Sequence, residues 1–194
     1  MIAYLKGNYF HKTPASVQVE VNGVGYDVQI SLNTYSKIQH LESGTLHTHL
    51  LIREDAHILY GFFELAEKEM FLHLISVSGI GSSTARIMLS SMKPDDLVRA
   101  ISIADVKTLE TVKGIGKKTA ERMVLELRDK LAKHPLQSDI SPLKHNSLQS
   151  DSLNALMALG IARNAADQAI QKVMHANPSI SSIEEVIKLA LKTV

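Results

Sequence analysis

The chain has 194 residues, 45% hydrophobic and 21% charged, a balance that excludes a disordered polymer and leaves room for two or three small domains. Cysteine is absent, which removes disulfides, thiolate metal sites and thiol catalysis. A formal charge of +1 gives no bulk attraction to nucleic acid, and aromatics at 5% with no Trp leave few platforms for stacking bases.

The first third reads as β structure. Val17, Val19 and Val21 alternate with polar residues, as do Tyr26, Val28 and Ile30, and Asn22-Gly23 between them signals a tight hairpin. Further strands are expected at residues 2–8, 46–52 and 57–62, and five short strands suggest a small barrel such as an OB-fold. From Glu64 the pattern turns helical, with Leu65, Phe71, Leu72, Leu74 and Ile75 on an apolar face and Glu67 and Lys68 among the charged residues. Short helices are expected at Ser82–Ser91, Pro94–Ser102, residues 105–112 and Lys117–Lys133. Pro94 suits a first helical turn, and Asp95 and Asp96 suit the positive end of its dipole. Residues 134–149, with Pro135, Ser138, Pro142 and Ser147, have no period and read as a flexible linker. A three-helix bundle follows at residues 150–194, with Ser182 and Glu185 spaced as a capping box. The expected architecture is therefore multi-domain α+β: a barrel at 1–63, a helical domain at 64–133, the linker, and the bundle. No apolar run approaches the roughly 18 residues of a membrane helix, and the first residues lack the apolar core of a secretory signal, so a soluble cytoplasmic protein is expected.

One feature repeats. Val77-Ser78-Gly79-Ile80-Gly81-Ser82-Ser83-Thr84-Ala85 recurs 35 residues later as Val112-Lys113-Gly114-Ile115-Gly116-Lys117-Lys118-Thr119-Ala120. Each copy is an apolar helix, Gly-Ile-Gly, then an amphipathic helix. The glycines permit positive φ and close approach, Ile80 and Ile115 are expected to turn inward, and the freed amides then face an anion at the start of the second helix. That arrangement, the helix-hairpin-helix, holds a phosphate without reading bases. One copy alone is equally a tight helix–helix turn. Two copies, the second followed by Lys117, Lys118 and Arg122, favour DNA backbone binding. Residues 107–133 carry eight basic residues against four acidic, a local +4. The first copy has Ser82 and Ser83 where the second has lysines, and Arg86 as its nearby cation. The expected DNA contacts are thus Gly79, Ile80, Gly81, Ser82, Ser83 and Arg86, with Gly114, Ile115, Gly116, Lys117, Lys118, Thr119 and Arg122. No Gly-Lys-Ser/Thr or spaced third glycine follows a strand, so P-loop and dinucleotide-binding readings fail.

The order of these parts, with Gly23-Val24-Gly25-Tyr26, Arg53-Glu54-Asp55-Ala56, Leu59-Tyr60-Gly61-Phe62, the run from Gly114 to Arg122 and Ala155-Leu156-Met157-Ala158-Leu159-Gly160, resembles the RuvA family along essentially the whole chain. The resemblance implies a homotetramer holding a four-way (Holliday) DNA junction open, one tetramer on a face or two enclosing it. It makes Glu54 and Asp55 an acidic pin at the crossover, although a carboxylate pair on a short turn is on its own a solvated hairpin. It implies docking of the RuvB ATPase motor through Leu156, Leu159, Ile161 and Leu191, for each of which a place in the bundle core is an equal reading. RuvC resolvase is a further candidate partner. Ile161 stands where members often carry an aromatic. Ser83 replaces a Lys of some members, so a weaker contact is expected at the first hairpin. No cofactor and no metal are implied.

The main alternative is a helix-hairpin-helix repair enzyme. A glycosylase needs a catalytic Asp or Lys beside a base pocket, and Asp95 and Asp96 are the nearest candidates. A nuclease needs clustered carboxylates, for which Glu54 and Asp55 are the one pair; His47 and His49 share a strand face without a third ligand. An adaptor whose hairpins bind only protein is the other reading, against which the Lys117, Lys118, Arg122 cluster argues.

Overall fold

Strands of alternating polarity each have one face to bury, and closing the sheet on itself buries them all at once. In the structure, a computed structural model that describes residues 1–133, 147–177 and 180–193, five strands do this. β1 (Tyr4–Lys12), β2 (Ser16–Val21), β3 (Val24–Ile30), β4 (Ser43–Ile52) and β5 (His57–Phe62) form a closed barrel in the order β1-β2-β3-β5-β4. β3 and β5 pair in parallel, Val28 beside Leu59, and the other pairings are antiparallel. Asn22 and Gly23 both take positive φ, 50° and 84°, in the two-residue turn between β2 and β3. Val17, Val19, Val28, Ile30 and Leu46 fill the interior.

Between β3 and β4 lies a helix that the sequence pattern does not announce, α1 (Leu32–Ile38). Ser31 caps it, its hydroxyl accepting from the Thr34 amide at 3.0 Å. Lys12 closes the other end, donating to the carbonyls of Gln39 and Leu41 at 3.0 and 2.7 Å, where the helix dipole favours a cation. Ile38 is fully buried in the barrel core.

The remaining described residues of the first compact unit, up to Lys133, carry the helices α2 (Leu65–Ile75), α3 (Ser82–Ser91), α4 (Pro94–Ser102), α5 (Val106–Glu110) and α6 (Lys117–Lys133). Barrel and helices share a core. Phe71 of α2 stands 4.9 and 5.0 Å, centroid to centroid, from the rings of Tyr60 and Phe62 on β5, with Met70 and Leu74 beside it. The expectation that Glu67 belongs to a charged outer face is overturned: it is 2% exposed. Its carboxylate accepts from the hydroxyls of Ser31 and, at 2.7 Å, Thr34. The cap of α1 supplies partners that the pattern of α2 does not contain, which is what makes burial of a carboxylate tolerable.

The second compact unit, Ile140–Val194, contains α7 (Ser147–Ala158), α8 (Arg163–Ala176) and α9 (Ile183–Ala190) around Leu156, Ala166, Ile170, Val173, Val186 and Ala190. α7 begins at Ser147, inside the stretch read as linker, because Leu148 packs against this core; residues 134–146 of that stretch lie outside the described residues. The capping box is not formed. Ser182 occupies the N-cap position, but its side chain accepts no cap bond. At this end solvent is an alternative acceptor, and Glu184 and Glu185 in the first turn complement the dipole. Among the described residues no helix is long and apolar enough to cross a membrane.

Candidate nucleic-acid interface

The two copies of the sequence repeat share the hydrogen bonds that make their turns. Leaving α2, the Val77 amide donates to Leu74 O at 3.1 Å and the Ile80 amide to Val77 O at 3.0 Å. Leaving α5, the Val112 amide donates to Leu109 O at 3.3 Å and the Ile115 amide to Val112 O at 3.0 Å. Gly79 and Gly114 take φ of 94° and 93°, a region that L side chains rarely enter. Ile80 and Ile115 are each 5% exposed, so both hairpins are pinned from inside as their position predicts. Behind them, the Ala85 amide returns to Gly81 O at 2.9 Å and the Ala120 amide to Gly116 O at 3.0 Å, starting α3 and α6.

These helix starts are built for an outside acceptor. Gly81, the N-cap of α3, has no side chain to occupy the first-turn amides. Neither α3 nor α6 has an acid in its first turn, whereas α4 carries Asp95 and Asp96 and α9 carries Glu184 and Glu185. α6 instead begins with Lys117 and Lys118, both exposed. Cations at the positive end of a helix dipole are disfavoured by some tenths of a kcal/mol each unless an anion joins them. Arg122, one turn on and exposed, donates to Ser78 O of the other hairpin at 3.2 Å. A Cβ on Gly114 would lie 3.8 Å from Thr84 Cγ2, so the two hairpins sit side by side. Thr119 is half-buried behind the lysines.

The first hairpin is wired differently. Ser82 is 4% exposed, and its hydroxyl accepts from Tyr60 Oη at 2.9 Å and Arg53 Nη2 at 3.4 Å. Arg86 donates through Nη1 to Ala15 O at 2.9 Å and Gln29 Oε1 at 2.7 Å, so this arginine fastens α3 to the barrel. Both side chains therefore face the barrel, and Ser83 remains exposed. Sequence reasoning missed this wiring because its partners, Tyr60, Arg53, Gln29 and Ala15, lie 22 to 71 positions away.

Glu54 and Asp55 stand exposed at the tip of the β4–β5 turn, which the Arg53 amide closes on Ala56 O at 2.9 Å. Asp95 and Asp96 are exposed on the first turn of α4. His49 packs against the Phe71 ring, and burial, then the charge of Lys68, hold its imidazole below the ordinary histidine range. Among the described residues no three His, Asp or Glu come together as a metal cluster.

In the second unit, Leu156 is fully buried while Leu159 and Leu191 are 63% and 46% exposed. Gly160, at φ 89°, ends α7 in a left-handed turn, with the Ile161 amide donating to Leu156 O at 3.1 Å. That turn throws Leu159 outward and lays Ile161 against the core. Of the four residues expected to dock a motor, Leu159 and Leu191 are at the surface, Ile161 is partly covered, and Leu156 supports them from within.

Comparison with known proteins follows the same divisions. Residues 1–61 match the family described as RuvA N terminal domain, 71–129 the SAM-like Helix-hairpin-helix tandem, and 147–194 the RuvA, C-terminal domain. A Cytophaga hutchinsonii protein named Holliday junction branch migration complex subunit RuvA is 47% identical over 197 aligned positions, covering 99% of both chains. Proteins of the same name from Christiangramia forsetii and Flavobacterium psychrophilum are 45% and 43% identical, covering 99% and 100% of both chains. With relatives this similar along its whole length, the chain belongs to the RuvA family.

Proposed function

We propose that this protein binds four-way DNA junctions by shape, as the non-catalytic subunit of a branch-migration complex acting in the cytoplasm. The observation that carries this reading is the pair of hairpins with matching turn hydrogen bonds and no acid in the first turn of either following helix, the second beside Lys117, Lys118 and Arg122. Each hairpin takes a phosphate on amides that are blind to sequence. Four copies around an axis present such cradles to four duplex arms. They also bring eight carboxylates, from Glu54 and Asp55, toward the crossover. Like charges there repel the phosphates of a continuous duplex, so the assembly attracts arms and opposes a closed centre. Leu159 and Leu191 offer an apolar contact to the RuvB ATPase, to which nucleotide hydrolysis is assigned, and RuvC resolvase is a further partner of the open junction.

The experiment is fluorescence transfer between the ends of two junction arms in the presence of Mg²⁺, which folds free junctions. Addition of the protein should separate the arm ends to the spacing of an open, fourfold arrangement. Retention of the folded spacing at saturating protein would overturn the proposal.

A further inference from the structure

We infer that Arg53, on the pin turn of the barrel, is a DNA-contacting residue that supplies the cation the first hairpin lacks. This inference rests on the proposed reading of the hairpins as a DNA interface and assigns one more side chain to it. The 35-residue repeat puts Ser82 and Ser83 in register with Lys117 and Lys118. Within the first hairpin and α3, residues 76–91, the sequence has one basic residue, Arg86, and it is spent on the barrel through Ala15 O and Gln29 Oε1. Yet a guanidinium does reach the place of the missing lysine. Arg53 Nη2 lies 3.4 Å from Ser82 Oγ, the oxygen in register with the start of the Lys117 side chain.

Two details argue that this contact does not exhaust Arg53. At 3.4 Å it is near the limit of a hydrogen bond, and Ser82 Oγ already receives the shorter bond from Tyr60. Among the described residues Arg53 makes no ion pair, even though Glu54 and Asp55 follow it directly. Arg53 is exposed and holds most of its five N–H donors unspent, in the fork that matches a phosphate. The contact with Ser82 thus orients the guanidinium over the first hairpin rather than burying it.

Position gives the residue a specific task. The cations of the second hairpin sit on α6, whereas Arg53 sits at the foot of the acidic pin. The phosphate it meets is one that lies between the first hairpin and the crossover, which a junction provides and a straight duplex does not. Arg53 therefore contributes to preference for the junction, while Lys118 contributes to DNA affinity of any shape.

The test is the dependence of binding on salt, measured on four-way junction and on linear duplex for wild type, Arg53→Gln, Arg53→Lys and Lys118→Gln. Each lost phosphate contact lowers the slope of log affinity against log salt by about 0.9. Arg53→Gln should lower the junction slope by about that amount per engaged subunit and leave the duplex slope unchanged, with Arg53→Lys keeping the wild-type slope on both. Lys118→Gln should lower both slopes. If Lys118→Gln lowers the slopes and Arg53→Gln does not, the assignment of Arg53 is overturned and the interface stands. If neither variant changes either slope, the reading of the hairpins as a DNA interface falls with it.

Discussion

The two glycines of each Gly-Ile-Gly hairpin have different physical jobs, and alanine substitution separates them. Gly79 and Gly114 stand at φ of 94° and 93°. Open space surrounds Gly79, and the nearest neighbour of a Cβ at Gly114 is 3.8 Å away, so the cost of alanine there is conformational and not steric. A non-glycine residue forced into positive φ costs about 1–2 kcal/mol. In a unit of this size that corresponds to a fall in Tm on the order of 3–10 °C. Gly81 and Gly116 lie outside the positive-φ region, and a Cβ at either meets nothing within 4 Å. Alanine there should lower Tm by less than at Gly79 or Gly114, since the preference of an N-cap for glycine over alanine is partly offset by restriction of the unfolded chain. It should nevertheless weaken binding, because the added methyl stands where phosphate approaches the amides. Loss of one hydrogen bond to a charged group is worth roughly 1.5–3 kcal/mol, or about 10- to 150-fold in affinity. Thermal denaturation and junction titration of Gly79→Ala and Gly116→Ala therefore give opposite rankings. A Gly116→Ala protein that binds junction as tightly as wild type would refute the placement of the phosphate on these amides.

Burial pushes the Glu67 carboxyl above its ordinary value of 4.5, against the opposing pull of the Ser31 and Thr34 hydroxyls and Lys37. Its raised value in the folded state means that this contribution to stability is complete below pH 4.5 and is lost as pH rises through the folded value. Relative to Glu67→Gln, the wild-type Tm should fall across that window, and parallel pH profiles would contradict the burial argument. In the second unit, the proposed docking predicts that Leu159→Asp abolishes capture of RuvB in a pull-down with the Tm of the chain unchanged. Leu156→Asp should unfold that unit outright, since its side chain is fully buried; a folded Leu156→Asp protein in circular dichroism would be inconsistent with this core. Ser83→Lys, which restores the pattern of the second hairpin at an exposed position, should raise the salt slope of junction binding by about 0.9 per engaged subunit. An unchanged slope would place no phosphate near Ser83.

What the sequence made legible was what repeats or alternates locally. The 35-residue echo predicted two like hairpins, and Ile80 and Ile115 are buried as the pattern requires. Alternation in Val17–Val21 and a helical period from Ser82 onward placed the strands and helices nearly where they lie. α1 escaped because seven residues including Asn33, Thr34 and Ser36 have little helical propensity or period. Distant groups hold it instead. Asn33 Nδ2 donates to Met92 O at 3.1 Å, the Leu32 amide to Ser90 Oγ at 3.0 Å, and Lys12 closes the far end. The same holds at the candidate site. The glycines and lysines of the second hairpin were readable in one stretch of chain, whereas the commitments of Ser82 and Arg86 depend on where the barrel is docked. Glu67 looks like a surface residue until the hydroxyls of Thr34 in α1 and of its cap, Ser31, are placed over it.

The central claim is that this chain reads the shape of DNA through its backbone. The most direct measurement is a titration of the full protein against a four-way junction and a linear duplex of equal length, repeated with scrambled arm sequences and at several salt concentrations. Binding that favours the junction strongly, ignores the scrambling and weakens steeply with salt is the predicted result. Equal affinity for junction and duplex, or an affinity that follows the sequence of the arms, would contradict the account.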